Sequence, residues 1–89
     1  MHILATGLDY KTASLEVRET IAFSREQLPE ALPRLRGEVG EGVILSTCNR
    51  TEIYTVTDGP AETAADIRRF LATYHGLDGH SVPAQLHDL

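Results

Sequence analysis

Cys48, the single cysteine of the chain, closes an apolar run and opens a polar one: Val43-Ile44-Leu45-Ser46-Thr47-Cys48-Asn49-Arg50-Thr51-Glu52-Ile53-Tyr54. A structural thiol is normally set among apolar neighbours, because free cysteine behaves as a small hydrophobe. Here the flanking residues, Thr47, Asn49 and Arg50, all form hydrogen bonds. A nearby cation favours thiolate, the nucleophilic form of the side chain, and Arg50 stands two residues on. Spacing alone leaves two readings open: a core cysteine, or a reactive one exposed at a turn. Arg50 would clamp a carboxylate with two parallel bonds, or lie solvated beside Glu52. Thr47 would orient a substrate through its hydroxyl, or merely end a strand.

Other chemistry-bearing residues are less pointed. His2, His75, His80 and His87 have no spacing that marks one as a base for the cysteine, and they read as surface or helix-capping residues. Asp9-Tyr10-Lys11-Thr12 follows the first predicted strand. It would line the same sheet end as the cysteine turn, or form an ordinary turn. Neither a glycine-rich phosphate loop nor a dinucleotide fingerprint is present. One cysteine and scattered histidines make no metal set. Asn49-Arg50-Thr51 spells a glycosylation sequon, coincidental without a secretory signal.

Alternation predicts a strand over residues 2–8, with Ile3, Ala5 and Gly7 on one face and Leu4, Thr6 and Leu8 on the other. Residues 9–14 read as a loop, and 15–22 as one or two helical turns at most. Ser24 with Gln27 forms a capping box, and Phe23 with Leu28 its hydrophobic staple. Leu28, Leu32 and Leu35 share the stripe of a helix that Pro33 kinks or shortens, ending near Gly37. Residues 42–47 and 51–57 read as strands joined by a tight bend at 48–50. Residues 61–75 form the clearest helix, with Ala64, Ile67, Leu71 and Tyr74 on one face and Gly76 as its stop. A turn over 78–83 leads to a last strand over 84–89. The order is strand, helix, strand, strand, helix, strand. It predicts an α+β fold of the ferredoxin-like, split βαβ kind: a four-stranded antiparallel sheet with two helices on one face.

At 89 residues, the chain is one domain of the size that buries roughly 60 to 70% of its unfolded surface. Its 42% apolar and 24% charged residues place it with globular chains rather than disordered ones. The net charge of −5 argues against nucleic-acid binding by electrostatics alone. No apolar stretch approaches the roughly 18 residues of a membrane span, and the N-terminus does not read as a secretory signal. A lone cysteine suits the reducing cytoplasm.

The motif Ser46-Thr47-Cys48-Asn49-Arg50-Thr51-Glu52-Ile53-Tyr54 resembles the hallmark of glutamyl-tRNA reductases. Gly7-Leu8-Asp9-Tyr10-Lys11-Thr12-Ala13 resembles the loop after that family's first strand. Arg18-Glu19, Ala22-Phe23-Ser24 and Tyr74-His75-Gly76-Leu77 resemble later segments in the same order. The resemblance implies that residues 1–89 are the N-terminal catalytic domain, which recognises glutamyl-tRNA and its glutamate. It implies Cys48 as the nucleophile that attacks the glutamyl ester to form a thioester, with Thr47, Asn49 and Arg50 binding the glutamate. In the complete enzyme NADPH would then reduce the thioester to glutamate-1-semialdehyde, on the way to 5-aminolevulinate and tetrapyrroles. Homodimerisation through a further domain and handover to glutamate-1-semialdehyde aminomutase are implied as well. The NADPH-binding and dimerisation domains, and the segment with the family's active-site histidine, are not within these residues. His87 does not align with that histidine. Ser14 stands where the family usually has proline, and Tyr10 where it often has histidine.

Two other classes compete. A non-catalytic RNA- or regulator-binding module of the same fold would display aromatics on its open sheet face, and only Tyr54 lies in a predicted strand. A thiol-redox sensor would want a second, resolving cysteine.

Overall fold

The computed structural model describes residues 2–77 and 82–89. Seven elements follow in order: β1 (His2–Asp9), α1 (Leu15–Glu19), α2 (Leu28–Val39), β2 (Gly42–Ser46), β3 (Arg50–Thr57), α3 (Pro60–Tyr74) and β4 (His87–Asp88). The strands form one sheet in the order β2-β3-β1-β4, with every neighbouring pair antiparallel. The fold is therefore α+β.

Register decides which face is covered. Leu8 pairs with Thr51 and Thr6 with Ile53, while Ile44 pairs with Ile53 from the other side. All five are buried. α2 packs on β2 and α3, and α3 packs on β1 and β3. They contribute Ala31 and Leu35, and Ile67, Phe70 and Leu71, to the same core. The opposite face carries the alternate residues, among them Ile3, Val43 and Tyr54, which stay exposed. A period-2 side-chain pattern buried on one side only specifies register strongly, because a one-residue slip would turn the whole apolar set outward.

Helix starts follow local chemistry. Ser14, in extended backbone, caps α1 by accepting from the Val17 N–H at 3.3 Å. Ser24 and Gln27 form the expected reciprocal box: the Ser24 N–H donates to Gln27 Oε1 at 2.8 Å and the Gln27 N–H to Ser24 Oγ at 3.2 Å. The box heads a turn that runs into α2. Phe23 is buried and Leu28 half-buried against one core.

Several boundaries differ from expectation. α2 passes Gly37 and stops at Gly40, whose φ of +87° ends the helix in a backbone region that glycine tolerates. A mid-helix glycine costs only about 1 kcal/mol, and a buried stripe offsets that. Pro33 is accommodated inside α2, where the bond it removes would reach back to residue 29, in the first turn. The 15–22 segment resolves into the single short helix α1. The last strand is shorter than expected, because a turn closed by the Leu86 N–H on the Pro83 carbonyl (3.0 Å) precedes it. His80 and most of the expected turn at 78–83 lie outside the described residues.

Candidate active site

The β2–β3 hairpin places the cysteine. Ser46 pairs with Thr51 at the last rung of the ladder, and the Thr47 N–H donates to the Arg50 carbonyl at 2.8 Å. Cys48 and Asn49 form the connection, and the cysteine is exposed. Of the two readings open from sequence, the buried core cysteine is therefore excluded. The Asn49 N–H donates to Thr47 Oγ1 at 3.1 Å, and the Cys48 thiol makes a weak contact with Asn49 Oδ1 at 3.8 Å. Thr47 and Asn49 thus shape the turn itself.

β1 brings the second segment to the same sheet end. Asp9, its last residue, lies opposite Arg50. The Asp9 carboxylate accepts from the Lys11 N–H at 2.9 Å and from the Thr12 hydroxyl at 3.5 Å. Its carbonyl accepts from the Ala13 N–H at 3.0 Å. This is an Asx-type turn, the local structure that aspartate favours at a strand end. Asp9, Tyr10, Lys11, Thr47, Asn49 and Arg50 together line an open cleft of about 490 Å³. Cys48 lies in the chain between two of its walls.

Electrostatics leave the cleft's arginine available. Glu52, one of the two partners open to Arg50 from sequence, accepts a hydrogen bond from the Tyr54 hydroxyl at 2.7 Å. That bond, with some burial and the carboxylate's charge, raises the Tyr54 pKa above its usual value of 10.0, and the nearby Arg50 charge opposes the rise. Among the described residues no ion pair engages Arg50. A planar guanidinium with free donors is suited to a carboxylate.

Behind the turn, Ser46 Oγ accepts from the Phe23 N–H at 2.9 Å and lies 3.0 Å from the Thr51 hydroxyl. From α1, Arg18 reaches across. Its Nε donates to the Cys48 carbonyl at 3.0 Å and its Nη1 to the Ala13 carbonyl at 2.7 Å. Neither Ser46 nor Arg18 stood out as a site residue in the sequence. Arg18 is 30 positions from Cys48, and no local pattern links residues so far apart.

Neither His75 nor His87 lines the cleft. His75 caps α3 and sits half-buried against Phe23 and Tyr74, with ring centroids 4.8 and 5.3 Å away. Burial lowers its pKa below 6.5, with a hydrogen bond to the Ile21 backbone opposing. His87 is exposed beside the Gln85 carbonyl. Among the described residues no cluster of His, Cys, Asp and Glu is suited to a metal ion, and no helix is long and apolar enough to cross a membrane.

Residues 6–88 match the family described as glutamyl-tRNAGlu reductase, N-terminal domain. This chain belongs to that family. It is 46% identical over 88 residues to the glutamyl-tRNA reductase of Bacillus pumilus, covering 97% of this chain and 19% of that protein. The Shouchella clausii glutamyl-tRNA reductase is 48% identical over 88 residues, with the same coverage of 97% and 19%. The glutamyl-tRNA reductase of Pseudoalteromonas translucida is 42% identical over 89 residues, covering 98% and 21%. The chain thus spans about one-fifth of the length of these relatives. Within the glutamyl-tRNA reductase family, the match takes in both the Asp9 turn and the Cys48 hairpin.

Proposed function

We propose that this chain is the N-terminal catalytic domain of a glutamyl-tRNA reductase, and that Cys48 is its nucleophile. The observation that carries the reading is an exposed thiol on a hairpin turn whose neighbours line a cleft with Arg50, which forms no ion pair among the described residues. The strand order β2-β3-β1-β4, with helical segments between β1 and β2 and between β3 and β4, supports a split βαβ, ferredoxin-like assignment.

An aminoacyl ester calls for a strong nucleophile near neutral pH, and thiolate is the best that side chains offer. Cys48 Sγ attacks the glutamyl carbonyl carbon. A carbon–sulfur bond forms, the bond to the ribose oxygen breaks, and that oxygen leaves as a hydroxyl with the thiol's proton. The glutamyl group is then held as a thioester and the tRNA is free. Arg50 takes the glutamate side-chain carboxylate, as Thr47 and Asn49 hold the acyl group beside the turn.

Reduction lies with the rest of the enzyme. NADPH would supply hydride to the thioester, giving glutamate-1-semialdehyde for tetrapyrrole synthesis. The described residues do not fit that cofactor: the sheet is wholly antiparallel, and among them no glycine-rich strand-to-helix turn cradles a pyrophosphate. The reading for this chain therefore stops at acyl transfer. A cytoplasmic location, homodimerisation elsewhere in the complete enzyme and handover to glutamate-1-semialdehyde aminomutase belong to the same proposal.

The RNA-module reading is weaker. Stacking platforms use two or three aromatics on the sheet, and Tyr54 is the single aromatic within β1, β2 and β3.

Intact-mass spectrometry after mixing with glutamyl-tRNA tests the proposal, beside a Cys48→Ser control. A glutamyl adduct on the wild type alone is expected, and it should be released by hydroxylamine. A wild-type chain that stays unmodified while its thiol is freely alkylated would refute acyl transfer by this domain alone.

A further inference from the structure

Two-residue hairpins usually rely on left-handed backbone at the turn, which matches the twist of the flanking strands. The Cys48–Asn49 connection lacks it. No non-glycine residue among those described has a positive φ. The turn is held by other means. Inside the hairpin, the Thr47 and Asn49 N–H groups are satisfied by the Arg50 carbonyl and Thr47 Oγ1. The Cys48 carbonyl is satisfied from outside, by Arg18 Nε at 3.0 Å.

That carbonyl belongs to the nucleophile itself. Fixing its direction fixes the peptide plane after the Cys48 Cα, and with it the base from which Sγ projects. Arg18 is well placed for this, because its other bond anchors the guanidinium to the carbonyl of Ala13, a buried residue, at 2.7 Å. The fork of a guanidinium is rigid, so two donors used at once leave it little freedom. Arg18 also rises from α1, whose start is fixed by the Ser14 cap. It therefore joins the segment after the Asp9 turn to the cysteine turn.

We propose that Arg18 is a positioning residue: it straps the Cys48 turn to the α1 segment and sets the direction of the thiol for attack. The proposal rests on Cys48 as the nucleophile. Arg18 itself spends two donors on backbone carbonyls, and it acts through the turn rather than on the substrate.

The test compares wild type, Arg18→Gln and Arg18→Lys in the full chain. It measures single-turnover thioester formation from glutamyl-tRNA, amide hydrogen exchange and thermal unfolding. In Arg18→Gln, faster exchange should be confined to the amides of residues 47–50. The saturating rate should fall by about 10- to 100-fold, the scale for a reacting group misplaced by about 1 Å. The half-saturating tRNA concentration should stay within about 2-fold, since positioning is separate from binding. Arg18→Lys, which keeps the charge but loses the fork, should fall between the two. Exchange at the wild-type level in Arg18→Gln would overturn the proposal, as would faster exchange with an unchanged rate. A weaker half-saturation at an unchanged rate would also overturn it, showing a binding role instead. A wild-type chain that forms no thioester would overturn the acyl-transfer reading and not the strap, which the exchange pattern then decides alone.

Discussion

Ser46→Ala removes one oxygen atom that two elements share. Ser46 Oγ accepts from the Phe23 N–H at 2.9 Å and lies 3.0 Å from Thr51 Oγ1. Phe23 is 5% exposed and Thr51 2%, so water does not readily replace the lost partner. Leaving a buried donor unsatisfied costs about 1–3 kcal/mol, and a lost neutral hydrogen bond about 0.5–1.5 kcal/mol. The Thr51 hydroxyl recovers part of the second by rotating, so the sum falls near 2–3 kcal/mol. For a domain this small each kcal/mol shifts Tm by roughly 4–8 °C, so a drop of about 10–20 °C is expected. Thr51→Val is the matched control. It keeps the Phe23 bond to Ser46 and removes only the hydroxyl pair, so it should cost about 1 kcal/mol. The double variant should be less destabilised than the sum of the singles, because both remove the same bond. Urea unfolding monitored by circular dichroism gives all three values. A Ser46→Ala loss under about 0.5 kcal/mol, within the range of an ordinary surface substitution, would refute the claim that this oxygen ties the 20–23 segment to the hairpin.

Two further predictions concern the core. His75 has a lowered folded-state pKa, so below 6.5 the unfolded chain binds more protons than the folded one, and stability falls as pH drops. That contribution is fully present above 6.5 and is lost as pH descends toward the folded value. His75→Phe keeps a ring against Phe23 and Tyr74 and should flatten the fall that sets in as pH drops below 6.5. An unchanged difference between wild type and variant across that range would refute it. Gly7→Ala should destabilise by about 1–3 kcal/mol, the usual cost of overpacking. Its new methyl would collide with the Thr51 carbonyl oxygen and lie 3.0 Å from Glu52 Cα. A gain in Tm, as glycine replacement gives at unstrained sites, would show that β3 can move aside.

Local patterning was enough to assign the elements and the composition of the cysteine turn. Alternation in 2–8 assigned the two faces of β1, because side chains in a strand point to opposite sides. The Ser24–Gln27 box, the stripe of α3 and the bend at Cys48 were legible for the same reason: each depends on residues within a few positions of one another. Helix and strand ends were less legible. Gly37 looked like a stop, yet packing carried α2 on to Val39. The last strand looked longer than the two residues that pair with β1. Three-dimensional packing was needed to show that Cys48 is exposed, that the Asp9 turn shares a cleft with Arg50, and that Glu52 spends its carboxylate on Tyr54. It alone joined Arg18 to Cys48 and Ser46 to Phe23. The last two contacts span 30 and 23 positions of chain. A local pattern reports what neighbours prefer, whereas a contact between distant segments exists only once sheet register and helix packing have placed both partners.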